Sequence, residues 1–226
     1  MKRIDFSSVA LSIGFLVVAG CSDPTDKIHK SAASEPMKVD PAPVRTEASD
    51  AAPAASKDFV VRADSKIGFV GSKVTGQHDG GFKSFAGTIN MADGKIAGSS
   101  IIRINMKTIW ADNPKLTGHL KSADFFDVEK YPVTTFTVTG IEPADGGQKV
   151  TGNLDLHGVT KSISFPARIE VTDEVVTVNA DFAINRKDFN INYPGKSNDL
   201  IRDNVALKLA IKATPGAPRP EDQIAN

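Results

Sequence analysis

His119, Lys121 and Asp124 form the densest group of residues in this chain that could hold or move a proton. A histidine beside a carboxylate is material for general acid–base catalysis. A working site also needs a nucleophile or a second base spaced to meet it, and no partner stands at such a spacing. The other histidines, His29, His78 and His157, are scattered, no His-x-x-x-His pair occurs, and Cys21 is the one cysteine. This pattern carries no zinc signature and permits no disulfide within the chain. Gly-x-Ser-x-Gly, phosphate-loop and dinucleotide fingerprints do not occur either. The expectation is a non-enzymatic protein without metal or cofactor, with a lipid-directed enzyme built on His119 and Asp124 as an alternative class. Asp124 and Asp127 flank Phe125-Phe126 and are expected to cap backbone donors in a tight turn.

Cys21 follows a positive Met1-Lys2-Arg3 and the apolar run from Val9 to Val18. That order is a secretory signal peptide over residues 1–20, and the run falls short of the ~20 residues a membrane-spanning helix needs. Val18-Ala19-Gly20-Cys21 resembles the lipobox of bacterial lipoproteins. The resemblance implies cleavage before Cys21 and lipidation of its sulfur; a free thiol in an ordinary signal peptide is the alternative. One acyl chain holds a protein marginally, two or more hold it stably. The expected address is the bacterial periplasm, anchored by lipid to a membrane. Ser22 after the cysteine favours the outer membrane over the inner, and Asp23 one place later weakens that sorting signal.

Lysine plus arginine equals aspartate plus glutamate, 27 of each, which argues against a basic nucleic-acid footprint. Residues 21–57 are rich in Ala, Pro, Ser, Asp, Lys and Glu and hold no aromatic side chain. Such a stretch buries too little apolar surface to offset its ordering entropy. It is expected to be a disordered, lipidated tether with a typical span of about 30–35 Å. Residues 215–226 form a second proline-rich stretch, expected to be a disordered tail. Residues 58–214 lie between as one domain.

Within the domain the apolar residues alternate, which means strands. The clearest sets run from Val150 to Leu156, Ile163 to Val171, Val176 to Ile184 and Val205 to Ile211. Earlier strands are expected over 66–74, 82–91, 96–109 and 133–141, with Gly76–Gly81, which contains His78, as a polar turn. Asp93-Gly94, Asp145-Gly146-Gly147 and Gly158 are hairpin signals, so neighbouring strands should be antiparallel. Asn113 and Pro114 suit the cap and first position of a short helix with Leu116 and Leu120 on one face. The fold class is all-β with one short helix. Closing such strands into an up-and-down barrel would remove their edges; a sandwich satisfies the same pattern.

Gly118-His-Leu-Lys-Ser-Ala-Asp-Phe-Phe-Asp-Val-Glu-Lys-Tyr-Pro132, followed by Thr135-Phe136, resembles the signature of the YceI family. Phe85-Ala-Gly-Thr-Ile89, Gly152-Asn-Leu-Asp-Leu-His-Gly-Val-Thr-Lys161 and Lys187-Asp-Phe-Asn190 match it in order and spacing. The resemblance implies an eight-stranded antiparallel, lipocalin-like β-barrel. It also implies an apolar pore holding an isoprenoid, a quinone or another amphiphilic lipid; monomer and homodimer both stay open as assemblies. The lipobox, the long tether and the loop from Asn192 to Asp203 depart from the family pattern.

By alternation the expected pore-lining residues are Phe69, Phe85, Ile89, Ile102, Ile104, Phe136, Val138, Leu154, Leu156, Phe165, Phe182 and Ile184. Leu120 and Phe126 join them from the helix and the residues after it, where they could plug or gate one end. Alternation gives a face and not a cavity, so each could equally be packed core. A barrel filled by its own side chains would make the protein an interaction module instead. Trp110 is expected to seal the helix to the barrel; the alternative is a place at the pore. His119 is expected to hydrogen-bond to backbone and fix the turn after the helix; the alternative is contact with a ligand head group at the pore mouth.

Overall fold

The computed structural model describes residues 23–38, 57–92 and 94–217. Cys21, the signal-peptide segment, residues 39–56 of the expected tether and residues 218–226 of the expected tail lie outside the described residues. The strands in chain order are β1 (His29–Ser31), β2 (Lys57–Val61), β3 (Lys66–Lys73), β4 (Gly76–Phe82), β5 (Phe85–Ala92), β6 (Lys95–Ile96), β7 (Ile101–Asn105) and β8 (Ile109–Ala111). After helix α1 (Pro114–Lys121) come β9 (Val133–Ala144), β10 (Gly147–Leu156), β11 (Val159–Val171), β12 (Val176–Asn185), β13 (Gly195–Lys196), β14 (Asp199–Leu200) and β15 (Asn204–Pro215).

These strands close an eight-stranded antiparallel barrel. β2 and β3 share one wall position, because both pair with β15. β4 and β5 share the next, pairing back to β3 and β2, and β7 with β8 make the third. From β9 to β15 each long strand pairs with the next, and β15 closes the ring. Closure leaves few free ladder groups, which settles barrel against sandwich. The turn from β10 to β11 is made by His157 and Gly158, with φ of 54° and 72°; two left-handed residues match the strand twist of a tight hairpin. Asn113 caps α1 by accepting from the N–H groups of Lys115 and Leu116, as its position before Pro114 suggests.

The structure corrects four expectations about the elements. The strand expected over 96–109 is broken into β6, β7 and β8. Gly76–Gly81, expected as a turn, is strand β4, with His78 opposite Gly71. Pro215, expected to begin the tail, ends β15, and Gly216 N–H donates to Asp58 O at 3.1 Å. Residues 23–38, expected within the disordered tether, are docked on the barrel.

The docked segment fits a break in the wall. β11 and β12 pair only between Arg168–Val171 and Val176–Asn179, and beyond that point they part. β1 enters there, pairing in parallel with Phe182–Ile184. Ser34 exchanges backbone hydrogen bonds of 2.9 and 3.0 Å with Ser162 of β11, and Ser31 Oγ donates to Ser164 O at 2.7 Å. The segment thus supplies partners to backbone groups that the parted strands leave open, which buried or edge strands require.

Candidate functional site

The barrel interior has two halves. At one end Phe59, Val61, Ile67, Ile89, Met91, Val176, Ile211 and Ala213 pack into a filled core. Towards the other end the walls enclose a cavity of about 410 Å³, within the ~300–1,000 Å³ usual for small-molecule sites. The filled core that an interaction module requires therefore occupies only part of the barrel.

Aromatic rings are laid along the wall of the bore. Phe165 and Phe182 stack with ring centroids 4.0 Å apart and planes 2° from parallel. They project from the two strands that part to admit β1. Phe69 lies over Gly80, where an added Cβ would sit 2.2 Å from its Cζ. Phe136 lies over Gly152, where the same distance would be 2.4 Å. A side chain at either glycine would drive the ring into the bore.

Polar groups gather at the mouth. α1 and the residues after it cover one side, and the hairpin β13–β14 covers another. His119 Nε2 lies 3.2 Å from Asp124 Oδ2, and its ring meets Phe125 and Tyr193 edge-on with centroids 5.1 and 4.7 Å apart. It lines the cavity and braces the segment after the helix through a carboxylate, not through the backbone contact expected for it. Asp124 is spent on that pair rather than on a cap. Asp127 acts through its carbonyl, which accepts from the N–H groups of Lys130 and Tyr131. Thr117 Oγ1 accepts from Ala111 N–H at 2.9 Å and docks α1 on β8. Trp110, expected to make that seal, is 39% exposed and does not line the cavity.

Arg186 is the most buried charged residue at the mouth. Its guanidinium donates to the carbonyls of Ile191, Ile201 and Arg202, and Asp203 lies 3.4 Å away. Burial lowers its pKa and the Asp203 carboxylate opposes that shift. Arg186 thus cross-ties the loop from Ile191 to Asp203. Asp199 in that loop pairs with Lys73 and accepts from Thr75, so the hairpin is pinned to the β3–β4 turn. The Lys73 hydrogen bond holds the Asp199 carboxyl below the usual range. Ser72 and Thr134 also border the cavity, and their hydroxyls are buried without hydrogen-bond partners among the described residues.

Of the expected lining residues, Phe69, Ile102, Ile104, Leu120, Phe126, Phe136, Leu154, Leu156, Phe165, Phe182 and Ile184 border the cavity. Phe85, Ile89 and Val138 do not. Phe85 and Ile89 belong with the filled end, and Val138 packs against the main core cluster. Period two assigns a side of the wall and is blind to height along the barrel. Leu207 and Leu209 border the cavity without having been expected there, although β15 alternates clearly. Phe125, Ile191, Tyr193 and Ile201 reach it from loops, which carry no period to betray them.

A closed eight-stranded meander with an apolar bore, polar at one end, defines a small-ligand-binding class of barrel. The model of the YceI-like domain matches residues 60–213, and the chain belongs to the YceI-like family. A UPF0312 protein of Pseudomonas putida is 33% identical over 138 residues, covering 57% of this chain and 71% of that one. Protein YceI of Escherichia coli is 30% identical over 123 residues, covering 51% and 63%. Among solved structures, Burkholderia cenocepacia BcnA superposes with a TM-score of 0.60 at 25% identity, over 67% of this chain and 98% of that one. A polyisoprenoid-binding domain from Saccharophagus degradans, implicated in plant cell wall breakdown, gives 0.58 at 18% identity, over 72% and 100%; at that identity the likeness is one of fold.

Proposed function

We propose that this protein binds an amphiphilic chain, such as an isoprenoid, an isoprenoid quinone or another lipid, without chemistry on it. The tail lies in the bore and the head at the mouth. We also propose that the protein is exported, lipidated on Cys21 and held at the periplasmic face of a bacterial membrane. The observation that carries the binding reading is the polarity of the cavity: phenylalanine, isoleucine and leucine along the bore, with Ser72, Lys73, His78, His119 and Asp199 at the mouth end. At ~0.8 kcal/mol per buried methylene, a short chain supplies ample affinity. The polyisoprenoid-binding domain of like fold supports the choice of ligand class.

The test is native mass spectrometry of the protein purified from a bacterial membrane, followed by solvent extraction. A bound species whose mass matches a polyprenyl, quinone or acyl lipid is expected. An empty barrel that also fails to take up added quinone or polyprenol would sink the reading.

A further inference from the structure

Asp23 is the first residue of the docked segment, and it enters the fold beside the cavity mouth. Its carboxylate lies 3.3 Å from Arg202 Nη1 and accepts from Thr25 N–H and Oγ1 at 2.9 and 2.8 Å. Thr25 is fully buried. Burial opposes ionisation of Asp23, but the Thr25 hydrogen bonds and the Arg202 charge outweigh it and hold its carboxyl below the usual range. Arg202 N–H donates to the carbonyl of Ser72 at 2.9 Å, and Ser72 borders the cavity. The N-terminal segment is therefore tied to the rim of the bore and not to the filled end.

Cys21 stands two residues before Asp23, and two residues of extended chain reach at most about 7 Å. A lipid on Cys21 would then be joined to the clamped Asp23 through Ser22 alone. The same rim carries two exposed apolar side chains, Val74 at 57% and Leu200 at 51%. They sit on facing turns, with Val74 N–H donating to Leu200 O at 3.2 Å. Leu200 is two residues from Arg202, and Ile201 bridges to Lys73. The exposed Lys196 lies across the same hairpin. An apolar tip flanked by a lysine suits the interface of a phospholipid bilayer.

We propose that the protein is docked with its cavity mouth against the bilayer. Asp23–Arg202 and β1 fix the orientation, and Val74 and Leu200 touch the lipid. A chain ligand would then pass between membrane and bore without crossing water. The proposal rests on the lipidation of Cys21 proposed above.

The experiment uses full-length protein purified from bacterial membranes and returned to phosphatidylethanolamine–phosphatidylglycerol vesicles containing brominated lipid. The mass of the N-terminal peptide reads acylation. A fluorophore is placed at the rim in Leu200→Cys and, separately, at the far-end turn in Glu174→Cys. The expected result is several-fold stronger quenching of the rim label. In Arg202→Gln combined with Ser34→Pro, which frees the segment, that contrast should collapse while circular dichroism stays that of the barrel. Equal quenching of the two labels on an acylated protein overturns the docking and leaves the anchor standing. An unchanged contrast in the freed variant overturns the clamp. A Cys21 without acyl groups removes the anchor, and the docking with it.

Discussion

Asn153 grips the backbone of Met37 by both of its polar groups. Its Nδ2 donates to Met37 O at 2.6 Å, and Met37 N–H donates to its Oδ1 at 2.9 Å. A side-chain amide presents a donor and an acceptor side by side, as a neighbouring strand would. Asn153 thus extends the wall pairing that begins at His29 and continues through Ser34 and Ser162.

Asn153→Ala should loosen this segment without unfolding the barrel. Both bonds are exposed, so a loss of about 1 kcal/mol is expected. Hydrogen exchange at Ser31, Ser34 and Met37 should quicken while exchange in β15 holds. Unaltered exchange at those amides would show that the latch contributes nothing.

Gly152→Ala should cost more. The new Cβ would meet Phe136 Cζ at 2.4 Å and Thr137 O at 2.6 Å, and the backbone oxygen cannot swing aside. Overpacking of this kind costs about 1–3 kcal/mol. The variant should melt at a lower temperature and bind less lipid, because the displaced ring enters the bore. A variant of wild-type stability and affinity would contradict the wall-and-ring geometry.

Leu207→Trp should separate binding from stability. Leu207 borders the cavity from β15 and is only partly buried, so a larger side chain has empty space to enter. Lipid uptake should fall at least about tenfold, equivalent to about 1.4 kcal/mol, with the melting temperature held or raised. Full uptake by a folded variant would place the ligand elsewhere.

Acid should release the rim hairpin. Hydrogen bonding from Lys73 depresses the Asp199 pKa in the folded protein. The pair therefore stabilises the fold above the ordinary aspartate pKa of about 3.9, and that contribution is lost as pH falls through the depressed value. Asp199→Asn should be less stable than wild type at neutral pH, and the difference should shrink at pH 3 and below. Thermal melts of the two proteins across pH measure it; a constant gap would remove Asp199 ionisation from the account.

The sequence by itself determined the barrel's local grammar. Alternation in Val150–Leu156, Val176–Ile184 and Val205–Ile211 marks the inward face, because successive side chains on a strand must point to opposite sides. Phe69, Phe136, Phe165 and Phe182 lie on that face and border the bore. Only the tertiary structure decided how deep each one sits: Phe85 and Ile89 share that inward face yet lie in the filled end, since depth follows from strand tilt and stagger. The N-terminal segment shows the same division. Its composition gives it little apolar surface of its own, and it would not order alone. It orders because β11 and β12 part and leave backbone N–H and C=O groups to be paired. His29–Ser31 and Ser34 meet that need with their own backbone, which every sequence carries and no composition reveals.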